Sequence, residues 1–155
     1  MNSCPGSKMM DFREQGESSG KDEAGTRQSE LRQWPIQLHL ISPQAPYFQK
    51  ADVLLSADCV AYSIGDFHKN YLKGKSIAIG CPKLDDGQEI YVEKIKSLID
   101  DAKINTLTII TMQVPCCAGL VALAQNGLHQ ATRKVPIKSI VVSLKGEVLS
   151  EEWIQ

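Results

Sequence analysis

Residues 106–120 read TLTIITMQVPCCAGL, and how this stretch is read decides the fold. TLTII (106–110) is a short β-branched apolar run, the kind that suits a strand buried on both faces of a parallel sheet. Beyond Pro115 the pattern changes. CAGLVALAQNGLHQATRK (117–134) is apolar in its first half and polar in its second, which predicts a helix with Gly127 as a weak point. Cys116 and Cys117 stand at the junction, where a buried strand gives way to a helix.

The same alternation extends in both directions. IQLHLI (36–41), DVLLSAD (52–58), SIAIG (76–80) and SIVVSL (139–144) are further strand candidates. In GQEIYVEKIKSLIDDAK (87–103), Tyr91, Ile95, Leu98, Ile99 and Ala102 recur at the spacing of a core-facing helical stripe. GDFHKNYLKG (65–74) predicts a shorter helix stopped at Gly74. KGEVLSEE (145–152) reads as a hairpin turn around Lys145–Gly146. The order β, β, α, β, α, β, α, β, joined by right-handed crossovers, predicts a three-layer α/β, Rossmann-like domain with a mostly parallel sheet of about five strands. No internal repeat is present. Residues 1–32 carry Gly, Ser and charge with little apolar area, too little to offset an ordering cost of about 1–2 kcal/mol per residue. They read as a disordered leader, and 33–155 as the α/β domain.

Composition narrows the function. The 155 residues are 43% hydrophobic and 23% charged, with a net charge of −1 and no basic block, which argues against nucleic-acid binding. No apolar run approaches the ~18 residues of a membrane span, and the N-terminus lacks the apolar core of a secretory signal. A cytoplasmic location is expected, where thiols stay reduced. Of the five cysteines, Cys59, Cys81, Cys116 and Cys117 each follow a predicted strand, whereas Cys4 lies in the leader. In an open parallel sheet those strand ends share one edge, where ligands bind. Glycine and proline beside each cysteine let backbone amides approach sulfur, and Cys117 opens a helix whose field favours thiolate. A vicinal Cys116–Cys117 disulfide would be strained.

Buried packing is the ordinary fate of one such cysteine. Convergence of four favours a thiolate site for zinc or an iron–sulfur cluster. No C-x2-4-C zinc knuckle occurs, which tips the balance toward a cluster. His68 is a further candidate metal ligand or supporting donor, while His39 reads as a strand residue and His129 as a solvated one. A zinc- or thiol-dependent enzyme is the alternative, with Asp58, His68 and Asp85–Asp86 as acid–base groups. A metal-free scaffold domain is a third reading, with Trp34 and Trp153 anchoring its ends. The chain has no G-x-G-x-x-G, no G-x-x-x-x-G-K-[ST] and no G-x-S-x-G, so no dinucleotide site, nucleotide hydrolysis or serine elbow is expected.

LRQWPIQLHLISPQAPYF (31–48), ADVLLSADCVAYSIGDFH (51–68), LKGKSIAIGCPKLDD (72–86) and MQVPCCAGL (112–120) together resemble the C-terminal domain of the bacterial and archaeal 4Fe-4S ferredoxin-type iron–sulfur-binding proteins, common in anaerobes. The resemblance covers residues 31 to about 147. It implies an electron-transfer role and places the family's cysteine positions at Cys59, Cys81, Cys116 and Cys117. In that family a ferredoxin module precedes this domain. Here only CPGS (4–7) resembles the tail of such a module, a cysteine followed by proline, and Cys4 alone cannot build a cluster. The implied partner is a redox protein, in one version a separate ferredoxin.

Overall fold

The computed structural model describes residues 5–13 and 25–154, apart from the side chains of Pro5 and Cys116. The apolar runs form four parallel strands: β3 (Asp52–Ala57), β4 (Ser76–Gly80), β5 (Thr106–Met112) and β6 (Ile137–Val142). A fifth strand, β7 (Val148–Ile154), runs antiparallel to β6, and the sheet order is β4-β3-β5-β6-β7. Every residue of β3 after Asp52 is buried, as is every residue of β5 after Thr106, which is why both read as unbroken apolar runs. The architecture is α/β with a mostly parallel five-stranded sheet, as expected.

Helix α2 (Gln88–Asp100) returns the chain from β4 to β5, and α3 (Ala118–Gln130) returns it from β5 to β6. The predicted stripe of α2 is buried in full. At Gly127 an added Cβ would lie 2.7 Å from Ile95 Cγ2, so the glycine lets α3 press against α2. The first crossover, from β3 to β4, moves across the sheet in the opposite direction to the next two. It carries α1 (Val60–Ser63) and a π-helical turn over His68–Leu72, which Gly74 ends with φ +78°. Right-handed crossovers place this segment on the face opposite α2 and α3, giving three layers.

Two elements depart from the sequence reading. IQLHLI (36–41) is not a strand. It bridges β4 only at Gln37↔Ile79 and then turns, with Leu38 and Ile41 buried and Leu40 half exposed. Lys94 of α2 holds that turn by donating to the carbonyls of Leu38 (2.9 Å), His39 (2.7 Å) and Ile41 (2.9 Å). Conversely, the turn at Lys145–Gly146 forms as expected, with Gly146 at φ +85°, but the chain continues as β7. That strand is exposed along almost its whole length, so it carries no apolar signature. It is fixed by backbone pairing to β6 and by Lys138, which pairs with Glu151 and lies 5.5 Å from the Trp153 ring centroid.

Within the predicted leader, residues 14–24 and Cys4 lie outside the described residues. Of the remainder, β1 (Met10–Asp11) pairs with β2 (Gln33–Trp34), and Trp34 donates to the Gly6 carbonyl at 2.8 Å. Arg27 pairs with Asp66 at 2.9 Å. Gln33 is fully buried; its amide donates to the Ile77 carbonyl (2.6 Å) and accepts the Ile77 N–H (3.2 Å), covering the outer edge of β4. Among the described residues no helix is long and apolar enough to cross a membrane.

Candidate thiolate site

The crossover direction reverses at β3, so the crevice of this sheet opens between the carboxyl ends of β3 and β5. Asp58 and Cys59 follow β3, and Gln113 to Cys117 follow β5. Cys81 follows β4 on the far side of β3, and its loop leans inward: a Cβ built on Gly119, in the first turn of α3, would stand 3.3 Å from Pro82 Cβ. The three cysteine-bearing loops therefore meet at one edge. Ala57 and Gly80 are the last paired residues of β3 and β4, so Cys59 and Cys81 leave neighbouring strands side by side.

The cysteines differ in surroundings. Cys59 is exposed at the start of α1, and Cys81 is half-buried. Cys117 keeps only 7% of its surface and packs into the hydrophobic core. The Cys116 side chain lies outside the described residues. Among the described residues no three His, Cys, Asp or Glu side chains assemble into a group able to hold a metal ion. Thiolate chemistry suits an iron–sulfur cluster, but the described donors of one chain do not by themselves surround one. His68 sits in the π-helical turn that feeds β4 from its amino end. Its Nδ1 accepts the Glu30 N–H at 3.0 Å.

A polar cluster lies between Cys59 and Cys81. Asp85 Oδ2 accepts the Cys81 N–H (3.0 Å) and the Tyr91 hydroxyl. Tyr91 is fully buried with its ring centroid 4.4 Å from that of His39. Gly80 makes room for it, since a Cβ there would lie 2.9 Å from the hydroxyl oxygen. Burial, then the bond to Asp85, then the charges of Asp85, Asp58 and Cys81 push the Tyr91 hydroxyl far above its ordinary pKa, so it remains a donor. Asp58 has one buried carboxylate oxygen with no hydrogen-bond partner. Burial, and next the charge of Asp85, raise its pKa. Of the anticipated acidic pair, Asp85 faces this cluster, while Asp86 is exposed and its carbonyl accepts from His39 Nε2 at 2.6 Å.

Tyr91 was legible in the sequence only as a member of the α2 stripe. A tyrosine in such a stripe needs a partner for its hydroxyl, and an acid six residues upstream was the available signal. His129 lies elsewhere, beside an apolar cavity of about 640 Å³ lined by Leu128, Val135, Pro136, Ile137 and Trp153, at the opposite edge of the sheet.

Over 121 residues the chain is 29% identical to an uncharacterized protein of Archaeoglobus fulgidus, a match covering 77% of this chain and 83% of that protein. No solved structure matches the chain. A family model described as a Rossmann-like domain matches residues 45–155, which takes in all four parallel strands, β7 and both long helices. The chain belongs to this Rossmann-like domain family.

Proposed function

We propose that the chain is an iron–sulfur-binding or ferredoxin-associated electron-transfer domain, with a 4Fe-4S-type cluster held by thiolates at the carboxyl edge of the sheet. One observation carries this reading. Three neighbouring parallel strands, β4, β3 and β5, are each followed by a cysteine-bearing loop at that edge, and the loop after β4 lies so near the start of α3 that a Cβ at Gly119 would stand 3.3 Å from Pro82 Cβ. Cys59, Cys81, Cys116 and Cys117 are the candidate ligands. The bound group would take up and release single electrons. The chain's own share is electrostatic and steric. The α3 N-terminus favours thiolate, the Cys81 loop is fixed by its N–H on Asp85, and Asp85 places negative charge beside Cys81 that opposes reduction. The reading requires a redox protein as partner, and a reducing cytoplasm suits exposed Cys59.

The unpartnered Asp58 oxygen favours one second reading, a zinc- or thiol-dependent enzyme with Asp58 as proton carrier. Iron, zinc and acid-labile sulfide assays on anaerobically purified protein separate the two. Iron and sulfide in matching amounts, with an absorption band near ~400 nm, are expected. A colourless protein with tightly bound zinc would move the assignment to the enzyme.

A further inference from the structure

The two outer strands of the sheet differ in what covers them. The edge of β4 is covered by the Gln33 amide and by the bridge between Gln37 and Ile79. At the other edge β7 pairs with β6, and no described residue pairs with its outer side. An exposed strand edge of 7 residues is a template for another strand. β7 contains neither proline nor lysine, residues that blunt such an edge. At its carboxyl end lies the apolar cavity of about 640 Å³, walled by Trp153 and Ile154 of β7, Leu128 of α3, and Val135, Pro136 and Ile137. A free backbone edge beside a side-chain pocket is the arrangement by which sheets bind extended peptides.

Charge selects the occupant. Glu151 is the middle residue of Val148–Ile154. A second copy overlapping the whole strand antiparallel would therefore set Glu151 opposite its own counterpart, which like charges oppose. A basic partner meets no such obstacle. Glu151 is engaged by Lys138, whereas exposed Glu152 forms no ion pair among the described residues. Glu152 and Ile154 are two residues apart and so share one face of β7. Lys134, in the cavity wall, donates to the Leu128 carbonyl at 3.0 Å and makes that end unfavourable for a second cation. An incoming strand thus finds an apolar place beside Ile154 and a place for a cation beside Glu152.

We propose that β7 and the adjoining cavity bind an extended segment of another protein, added antiparallel to β7, with a large apolar side chain in the cavity and a lysine or arginine two residues later, opposite Glu152. Antiparallel addition continues the sense of the β6–β7 pair and is the more stable ladder. This surface lies away from the cysteine-bearing loops, so the inference stands independently of the thiolate reading.

The test is fluorescence anisotropy of a labelled heptapeptide of threonine and valine that carries phenylalanine at its second position and lysine at its fourth. Binding to the full chain is expected, weakened about tenfold or more when serine replaces the phenylalanine. Glu152→Lys should weaken binding about fivefold, and a peptide with glutamate in place of the lysine should restore it. Glu152 is exposed, so its replacement leaves the fold intact. Hydrogen exchange of the β7 amides should slow when the peptide binds. No binding, equal affinity for all the peptides, or binding with unchanged β7 exchange overturns the proposal. A dimer in sedimentation whose β7 amides are protected without peptide assigns the edge to a second copy and overturns it equally.

Discussion

At the residue scale, the polar cluster between Cys59 and Cys81 departs most from what packing alone would choose. A carboxylate oxygen buried without a partner costs folding energy, and Asp58 carries one. Its raised pKa means that the folded state holds the proton more tightly than the unfolded chain. Stability therefore falls as pH rises from about 3.8, the ordinary aspartate value of the unfolded chain, through the folded value. Asp58→Asn is expected to raise the denaturation midpoint at pH 7.5, with a gain that shrinks toward pH 4. A gain equal at both pH values would contradict the assignment. Tyr91→Phe removes the donor to Asp85 and should cost about 1–2 kcal/mol in urea unfolding, since Asp85 keeps only the Cys81 N–H on that oxygen. Residue types marked Asp58 and Asp85 as acid–base candidates but not as neighbours. Asp58 and Asp85 are far apart in sequence, and only the β3–β4 register brings them together.

At the element scale, reading failed where propensity and tertiary demand diverge. IQLHLI has the alternation of a strand, yet Lys94, half-buried on α2, takes three of its carbonyls and the segment turns. Lys94→Met should destabilise the protein by about 2–3 kcal/mol, because charged hydrogen bonds to those carbonyls are lost. Hydrogen exchange at Leu40 and Ile41 should accelerate with it, and unchanged exchange there would sink this explanation of the turn. β7 failed in the opposite sense: it is a strand without burial, so composition gives it nothing to show. Gly127 illustrates two effects of opposite sign. Helix propensity favours alanine by about 1 kcal/mol. Packing opposes it, since the Cβ would stand 2.7 Å from Ile95 Cγ2 and 3.3 Å from the Val92 carbonyl oxygen. Overpacking of a rigid helix pair costs about 1–3 kcal/mol, so Gly127→Ala is expected to lower thermal stability. A higher melting temperature would show that α2 and α3 can part at no cost.

At the scale of the molecule, the parallel order was legible because doubly buried strands announce themselves as short apolar runs, and right-handed crossovers leave few ways to join them. The same logic predicts Cys59, Cys81, Cys116 and Cys117 at one edge. What sequence could not supply was direction. Whether a cysteine at a strand–helix junction faces the crevice or the core depends on where the helix starts, and with α3 starting at Ala118, Cys117 packs inward. Domain membership of the N-terminal stretch was equally hidden. Composition makes residues 25–32 read as linker, yet Arg27 and Glu30 bond to Asp66 and His68. The central claim is that the strand-end cysteines form one thiolate site. Iron and sulfide content of anaerobically purified Cys59→Ser and Cys81→Ser, measured beside the wild type, tests it most directly. Matching iron and sulfide in the wild type, falling to background in both variants, is the predicted result. Equal iron in all three proteins, or none in the wild type after reconstitution, would contradict it.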